Sequence, residues 1–252
     1  MDEKTGGDEV RHQIVGLIVS VVCLGGCSTG QTMVPSETTT SEGRTFEAPA
    51  GAAVALDGNV LVRFMNADPT SAGMDVLADG ESIFANVAFR KTTPYVAVPM
   101  STARFDLREA GTTEILWTSR RGLFFGQHYT MVALPRENAV RLRIWMDNLF
   151  ALEPGQVRVR VINATPNVDD LRLYEAGTQT LLGRGIDAGE ANAFTDVDAG
   201  SLEIRPVNRP APPRLSHLMV EAGRLYTYVV VGAAELDLVQ IETALEDYPQ
   251  SA

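Results

Sequence analysis

The sequence predicts an all-β chain: two tandem immunoglobulin-like β-sandwich domains after a signal peptide and a disordered tether. Three observations carry that reading. A strand-and-turn unit occurs twice, with Val60 to Pro69 reading V-L-V-R-F-M-N-A-D-P and Val157 to Pro166 reading V-R-V-R-V-I-N-A-T-P, 97 positions apart. The same shift superimposes Gly58 on Gly155 and Gly80 on Gly177, and self-similarity at a fixed spacing marks a duplicated unit. Short apolar runs then follow one another between Gly, Pro, Ser, Thr and Asn, with no helical stretch among them, as in sandwiches of short strands.

Each element has its own warrant. Each unit alternates residues between two faces, with Val60, Val62 and Phe64 on one face in the first copy and Val157, Val159 and Val161 in the second, the period of a half-buried strand. Arg63 and Arg160 fall on the opposite face. The Asn-Ala-x-Pro turns stop both strands, because proline donates no backbone N–H and biases the residue before it away from helix. Domain one, residues 57–149, continues through Met74 to Ala78, Ile83 to Phe89, Tyr95 to Val98, Ala103 to Arg108, Glu114 to Thr118, Tyr129 to Leu134 and Val140 to Met146. Domain two, residues 150–252, repeats the order with Leu171 to Glu175, Thr180 to Leu182, Phe194 to Val197, Leu202 to Val207, Leu215 to Val220, Tyr226 to Val231 and Leu236 to Ile241. The connection from Leu149 to Pro154 is short, so the domains are expected to sit in a restricted geometry.

The chain begins differently. Ile14 to Leu24 is an apolar run too short to cross a bilayer but of signal-peptide length, and it leads into Leu24-Gly25-Gly26-Cys27. This stretch resembles a bacterial lipoprotein signal, with leucine three before the cysteine and small residues beside it. The resemblance implies removal of residues 1–26 and lipidation of Cys27, and with it a membrane partner through the acylated cysteine. Ser28 is not the aspartate that marks inner-membrane retention, so for a Gram-negative source the implied address is the cell outer membrane. Asp2, Glu3, Asp8 and Glu9 make a poor basic leader, which suggests that translation starts at Val10, next to Arg11 and His12. Residues 27–56 form the lipidated cysteine and tether, and between 28 and 43 they hold eight serines and threonines with no apolar periodicity. The sequence contains two cysteines, Cys23 and Cys27. One would leave with the signal and the other carry lipid, so the mature chain would have neither thiol nor disulfide.

A second matching pair sits late in each copy, Gly126 to Thr130 against Gly223 to Thr227. Tyr129 and Tyr226 within it fit either a tyrosine corner, whose hydroxyl ties down the preceding loop, or a plain core aromatic. Taken together, V-R-V-x-N-A-x-P, a D-V-L-A-D-G-like hairpin, a V-P or V-D step and G-x-x-Y-T-x-V resemble the domain of unknown function 4397 family, in two copies over roughly residues 57–242. That resemblance implies envelope-anchored β-sandwich domains without assigned catalytic residues. Asp198, where the family favours proline, and the Asn208 to Pro213 insertion depart from it. A weaker likeness, limited to the paired strands, is to the periplasmic accessory protein of alginate O-acetylation.

Composition excludes one class of partner: a formal charge of −11 is the wrong sign for nucleic acid. His128 and His217 stand outside any metal-ligand spacing, and neither a nucleophile elbow nor a phosphate or dinucleotide loop occurs. Asn66, Asp68 and Asp75, with Asn163, Asp169 and Asp170, form oxygen-rich turns that could take calcium, but the EF-hand spacing is absent and turn-forming Asx residues account for them. No metal and no cofactor is therefore expected, and no enzyme activity. The expected function is a lipid-anchored envelope protein that binds a protein or glycan. The alternatives are an accessory to exopolysaccharide modification and an envelope hydrolase. Residues 57–149 balance ten basic against ten acidic side chains, whereas residues 150–252 carry eight and fifteen, so the copies differ in surface charge by seven units. Aligning Gly126 with Gly223 sets Leu123 and Phe125 at inward positions and Phe124 outward, which makes Trp117, Arg120, Arg121 and Phe124 the candidate binding patch.

Overall fold

The computed structural model describes residues 59–98, 102–212 and 215–245. The signal peptide, Cys27 and the tether lie outside the described residues. Within the described residues, sixteen strands form four four-stranded sheets. The first eight are β1 (Val60–Asn66), β2 (Met74–Ala78), β3 (Glu81–Val87), β4 (Val96–Val98), β5 (Thr102–Glu109), β6 (Ile115–Gly122), β7 (His128–Arg136) and β8 (Ala139–Asp147). The second eight are β9 (Gln156–Asn163), β10 (Leu171–Glu175), β11 (Leu181–Ile186), β12 (Thr195–Asp198), β13 (Gly200–Pro206), β14 (Leu218–Val220), β15 (Arg224–Val231) and β16 (Asp237–Ala244).

The repeat is visible in the wiring. Sheet order β4-β1-β7-β8 recurs as β12-β9-β15-β16, and β3-β2-β5-β6 recurs as β11-β10-β13-β14, so each strand of the second set takes the place of the strand eight before it. In both copies the first strand lies between an antiparallel neighbour and a parallel one, Val62 opposite Val96 and Tyr129 in one and Val159 opposite Thr195 and Tyr226 in the other. That central parallel pair and the eighth strand set these sandwiches apart from the all-antiparallel immunoglobulin arrangement. Val60, Val62 and Phe64 enter one core together with Met74, Phe105 and Leu107, and Val157, Val159 and Val161 enter the other with Leu173, Ile204 and Tyr228. The register is fixed, because a one-residue slip would turn all of these side chains out of their cores.

The reading of these strands as half-buried needs correction. The far faces of β1 and β9 do not meet water. Met65, Val132 and Leu134 pack against Ile162, Val229, Val231 and Ile241 in a third apolar cluster, which joins the two sandwiches back to back through the sheets that carry β1 and β9. Burial of such side chains is worth roughly 1.5–3 kcal/mol each, so this seam holds the pair in one arrangement. It also explains the apolar residues on the far faces of these strands, Met65 in β1 and Ile162 in β9, since a sheet covered on both faces buries both.

Arg63 and Arg160 face the seam, 4% and 2% exposed. Each crosses to the other sandwich. Arg160 Nη2 reaches Asp147 Oδ1 at 2.6 Å and Nη1 donates to the Met146 carbonyl, while Arg63 Nη1 donates to Thr243 Oγ1 at 3.0 Å. Asp147 also lies 3.5 Å from Arg63 Nη2 and accepts hydrogen bonds from Tyr95 and Thr130, both at 2.6 Å. The rings of Tyr95 and Phe194 lie against Arg63 and Arg160 respectively, at 4.7 and 4.4 Å from guanidinium carbon to ring centroid. Two buried guanidiniums thus share one carboxylate and two aromatic faces. Burial pulls the Arg160 guanidinium below its ordinary pKa, and Asp147 opposes that shift. Burial likewise lowers His128 at the edge of the cluster, with Asp147 acting against the shift and Arg63 adding to it.

Candidate functional site

Back-to-back docking sets β1, β7, β9 and β15 so that their C-terminal ends reach one end of the molecule. The two Asn-Ala-x-Pro turns leave β1 and β9 there. Each turn is held by its asparagine, which is buried and fully engaged. Asn66 Nδ2 donates to the Val87 carbonyl at 3.0 Å and its Oδ1 accepts from the Asp68 N–H, while Asn163 Nδ2 donates to Val168 and Ile186 carbonyls and its Oδ1 accepts from Thr165. Asp68 Oδ1 in turn accepts from the Thr70 N–H and hydroxyl at 2.9 and 2.8 Å. Asp75 accepts from the Asn86 N–H and from Arg108. These oxygens are committed to turn and strand geometry, as Asx turns require. Among the described residues no group of three or more His, Cys, Asp or Glu side chains is placed to hold a metal ion.

Between the turns lies a cleft of about 570 Å³. Its floor is apolar, with Met74, Leu116 and Val140, and its rim carries Asp68, Glu109, Arg136, Glu137, Asn138 and Asn167. Both sandwiches contribute, the second through Pro166, Asn167 and Ala233. Ala233 follows Gly232, whose φ of +98° is open to glycine and costly for other residues, and a Cβ there would stand 2.0 Å from the Glu235 carbonyl oxygen. The cleft wall therefore depends on a glycine at that corner. Sequence reasoning missed this site, because its residues come from six separate loops and strand ends. The repeated turns were the available signal, but nothing in the sequence said that they would meet.

The predicted patch is placed differently from the expectation. β6 runs to Gly122, so Arg120 and Arg121 lie on a strand, opposite Arg104 and Ala103 of β5, and adjacent strand positions face opposite sides of a sheet. Trp117, opposite Leu107, packs partly against the core of the first sandwich. Phe124 points outward as predicted, 74% exposed, and Leu123 is buried. Phe125 does not take the inward position assigned to it and is 45% exposed. The reason is the anchor of this loop: the Phe124 N–H donates to the Tyr129 hydroxyl at 2.9 Å, which leaves only Leu123 turned toward the core. The Glu221 N–H meets the Tyr226 hydroxyl in the same way at 3.3 Å, so both tyrosines form corners. The four residues do not make one surface: Trp117 and Arg121 share a face of β6, Arg120 takes the other, and Phe124 stands on the loop beyond.

Residues 60–174 match the family described as domain of unknown function (DUF4397), from β1 through the whole first sandwich and into β9 and β10 of the second. No curated protein matches the chain. Among solved structures, a family 26 carbohydrate-binding module from Eubacterium rectale in complex with maltoheptaose is 7% identical, with 74% of this chain and 99% of that one covered at a TM-score of 0.22. A structure of α-glucan binding by a streptococcal virulence factor is 10% identical, covering 57% and 79% at 0.23. A cell-adhesion candidate from Bacteroides uniformis is 11% identical, covering 75% and 98% at 0.23. Likeness this loose does not bear on a ligand.

Proposed function

We propose that this chain is a non-enzymatic cell-envelope protein, lipid-anchored through Cys27, that binds a protein or glycan partner in the cleft shared by its two sandwiches. The observation that carries the reading is the cleft's joint construction: an apolar floor ringed by carboxylate, amide and guanidinium groups, held open by two repeated turns whose own polar groups are already satisfied. Concave sites with a few convergent polar groups are where ligands bind. Asp68, Glu109, Glu137, Arg136 and the Asn138 and Asn167 amides give the rim both donors and acceptors for the polar groups of a partner, with Asp68 already held by Thr70. The sequence at Leu24 to Cys27 supports the anchor, and for a Gram-negative source the address is the outer membrane.

Leu116→Arg and Asn167→Arg test the cleft, each placing a long cation across it without touching a core. In the anchored protein, cross-linking in intact envelopes and glycan-array binding should fall about tenfold or more, the loss that ~1.4 kcal/mol produces. Phe124→Ala with Arg121→Glu should leave binding unchanged. Retention of every interactor at equal strength by the cleft variants would move the site elsewhere. For the anchor, Cys27→Ser should abolish incorporation of a palmitate analogue, since serine lacks the sulfur that carries the lipid. Wild-type protein found unlabelled in the soluble fraction would end that part of the reading.

A further inference from the structure

The end opposite the cleft has a different character. Phe64 and Phe105 are fully buried and Phe84 is 5% exposed, whereas Phe124, Phe125 and Phe150 are 74%, 45% and 66% exposed. All three exposed phenylalanines stand at the same end of the first sandwich. Phe124 and Phe125 lie just before β7, Phe150 lies just after β8, and the flanking strand ends are paired, His128 opposite Asp147. Met146, 51% exposed, sits one position inside that rung. Arg120 and Arg121, both exposed, end β6 immediately before the same loop. Phe150 is held outside: Arg158 Nη1 grips the Asn148 and Phe150 carbonyls at 3.3 and 2.9 Å, which fixes the backbone and leaves the ring in solvent.

This is also the end where the chain arrives from Cys27. The Gly126 N–H donates to the Asn59 carbonyl at 2.9 Å, so the aromatic loop is stitched to the first described residue, 32 positions after the cysteine. Among the described residues the corresponding end of the second sandwich has no exposed phenylalanine; it carries Glu153, Asp198 and Glu221, with Met219 as its exposed apolar side chain. Apolar rings with arginines on one side and carboxylates on the other make a face that would meet a bilayer obliquely, through the first sandwich alone.

We propose that Phe124, Phe125, Phe150 and Met146 form a membrane-seated tip that enters the phospholipid interface, with Arg120 and Arg121 at headgroup level. The inference rests on the lipid-anchor reading, because the anchor supplies the bilayer. Only 31 residues separate Cys27 from Asn59, so the anchor keeps the tip close to the bilayer and a tip too weak to bind from solution would still seat. Phenylalanines on an exposed apolar face bury into the headgroup–acyl boundary and arginine stems reach toward phosphate, which is the distribution found at this end. Seating it would aim the cleft away from the bilayer, about 30 Å along the nine residues of β7.

The test uses the full lipoprotein reconstituted in phosphatidylcholine–phosphatidylglycerol vesicles. A bimane probe is attached in turn to Phe124→Cys, Phe150→Cys and Asn138→Cys, the last on the β7–β8 hairpin at the cleft end. Probes at 124 and 150 should be quenched by doxyl-labelled lipid and show a several-fold smaller iodide quenching constant than the probe at 138. Equal iodide access at all three positions in vesicle-bound protein overturns the inference and leaves the anchor standing. Shielding from iodide without quenching by lipid also overturns it, in favour of a protein occupant. Protein that never associates with vesicles overturns the anchor reading and the tip with it.

Discussion

Asp147→Ala is expected to destabilise the protein by about 3–5 kcal/mol, the cost of leaving buried charge without its partner. Among the described residues Asp147 is the carboxylate that contacts both Arg63 and Arg160, and it also accepts from Tyr95 and Thr130. Removing it strands two guanidiniums in the seam between the sandwiches. Urea unfolding should show the loss as a lower midpoint. A companion triple variant, Arg63→Met, Arg160→Met and Asp147→Leu, separates stranded charge from lost packing. It should recover most of the stability, since replacing an entire buried ion cluster by apolar groups of similar volume is often neutral or better. If Asp147→Ala costs less than about 1 kcal/mol, as an exposed ion pair would, the cluster is open to water and the seam is not a packed interface.

Phe64→Ala should cost a similar amount, about 3–5 kcal/mol, for a different reason. Phe64 is fully buried at the centre of the first core, and its ring lies 5.9 Å from that of Phe84, centroid to centroid, at 26°. The repeat places Val161 at the same position of the second sandwich, in a core whose bulk comes instead from Tyr226 and Tyr228, stacked 5.9 Å apart. Truncating Phe64 opens a cavity that no neighbour on a paired strand can fill. Calorimetry should show a lower melting temperature, and Val161→Ala a smaller decrease. Equal and small effects at both positions would mean that neither core is close-packed.

Much of the fold was legible. The sixteen described strands fall on short apolar or alternating runs that turn residues separate in the sequence. The shift of 97 positions carried the wiring from one copy to the other. What escaped was the seam. Met65, Ile162 and Val229 occupy strand positions that a two-layer sandwich would expose, and an apolar residue at such a position is too common on surfaces to be informative. Arg63 and Arg160 misled for the complementary reason. An arginine midway along a strand usually marks the wet face, and the partner that makes its burial tolerable, Asp147, comes from a strand end 84 and 13 positions away in the sequence. The cleft was hidden with the seam that builds it. The tip was half seen: the outward turn of Phe124 followed from the repeat, but Phe150 has no counterpart in an aligned motif. Only the pairing of β7 with β8 brings it to the same end.

The central claim is that the two sandwiches form one body, docked back to back so that both Asn-Ala-x-Pro turns line a single cleft. Double electron–electron resonance between spin labels at Asn138→Cys and Asn167→Cys, one on each side of that cleft, measures this directly. A single narrow distribution at short separation is the predicted result, broadened by adding Asp147→Ala. A broad distribution in the protein without that substitution, extending to separations longer than the cleft allows, would contradict the docking and every conclusion built on it.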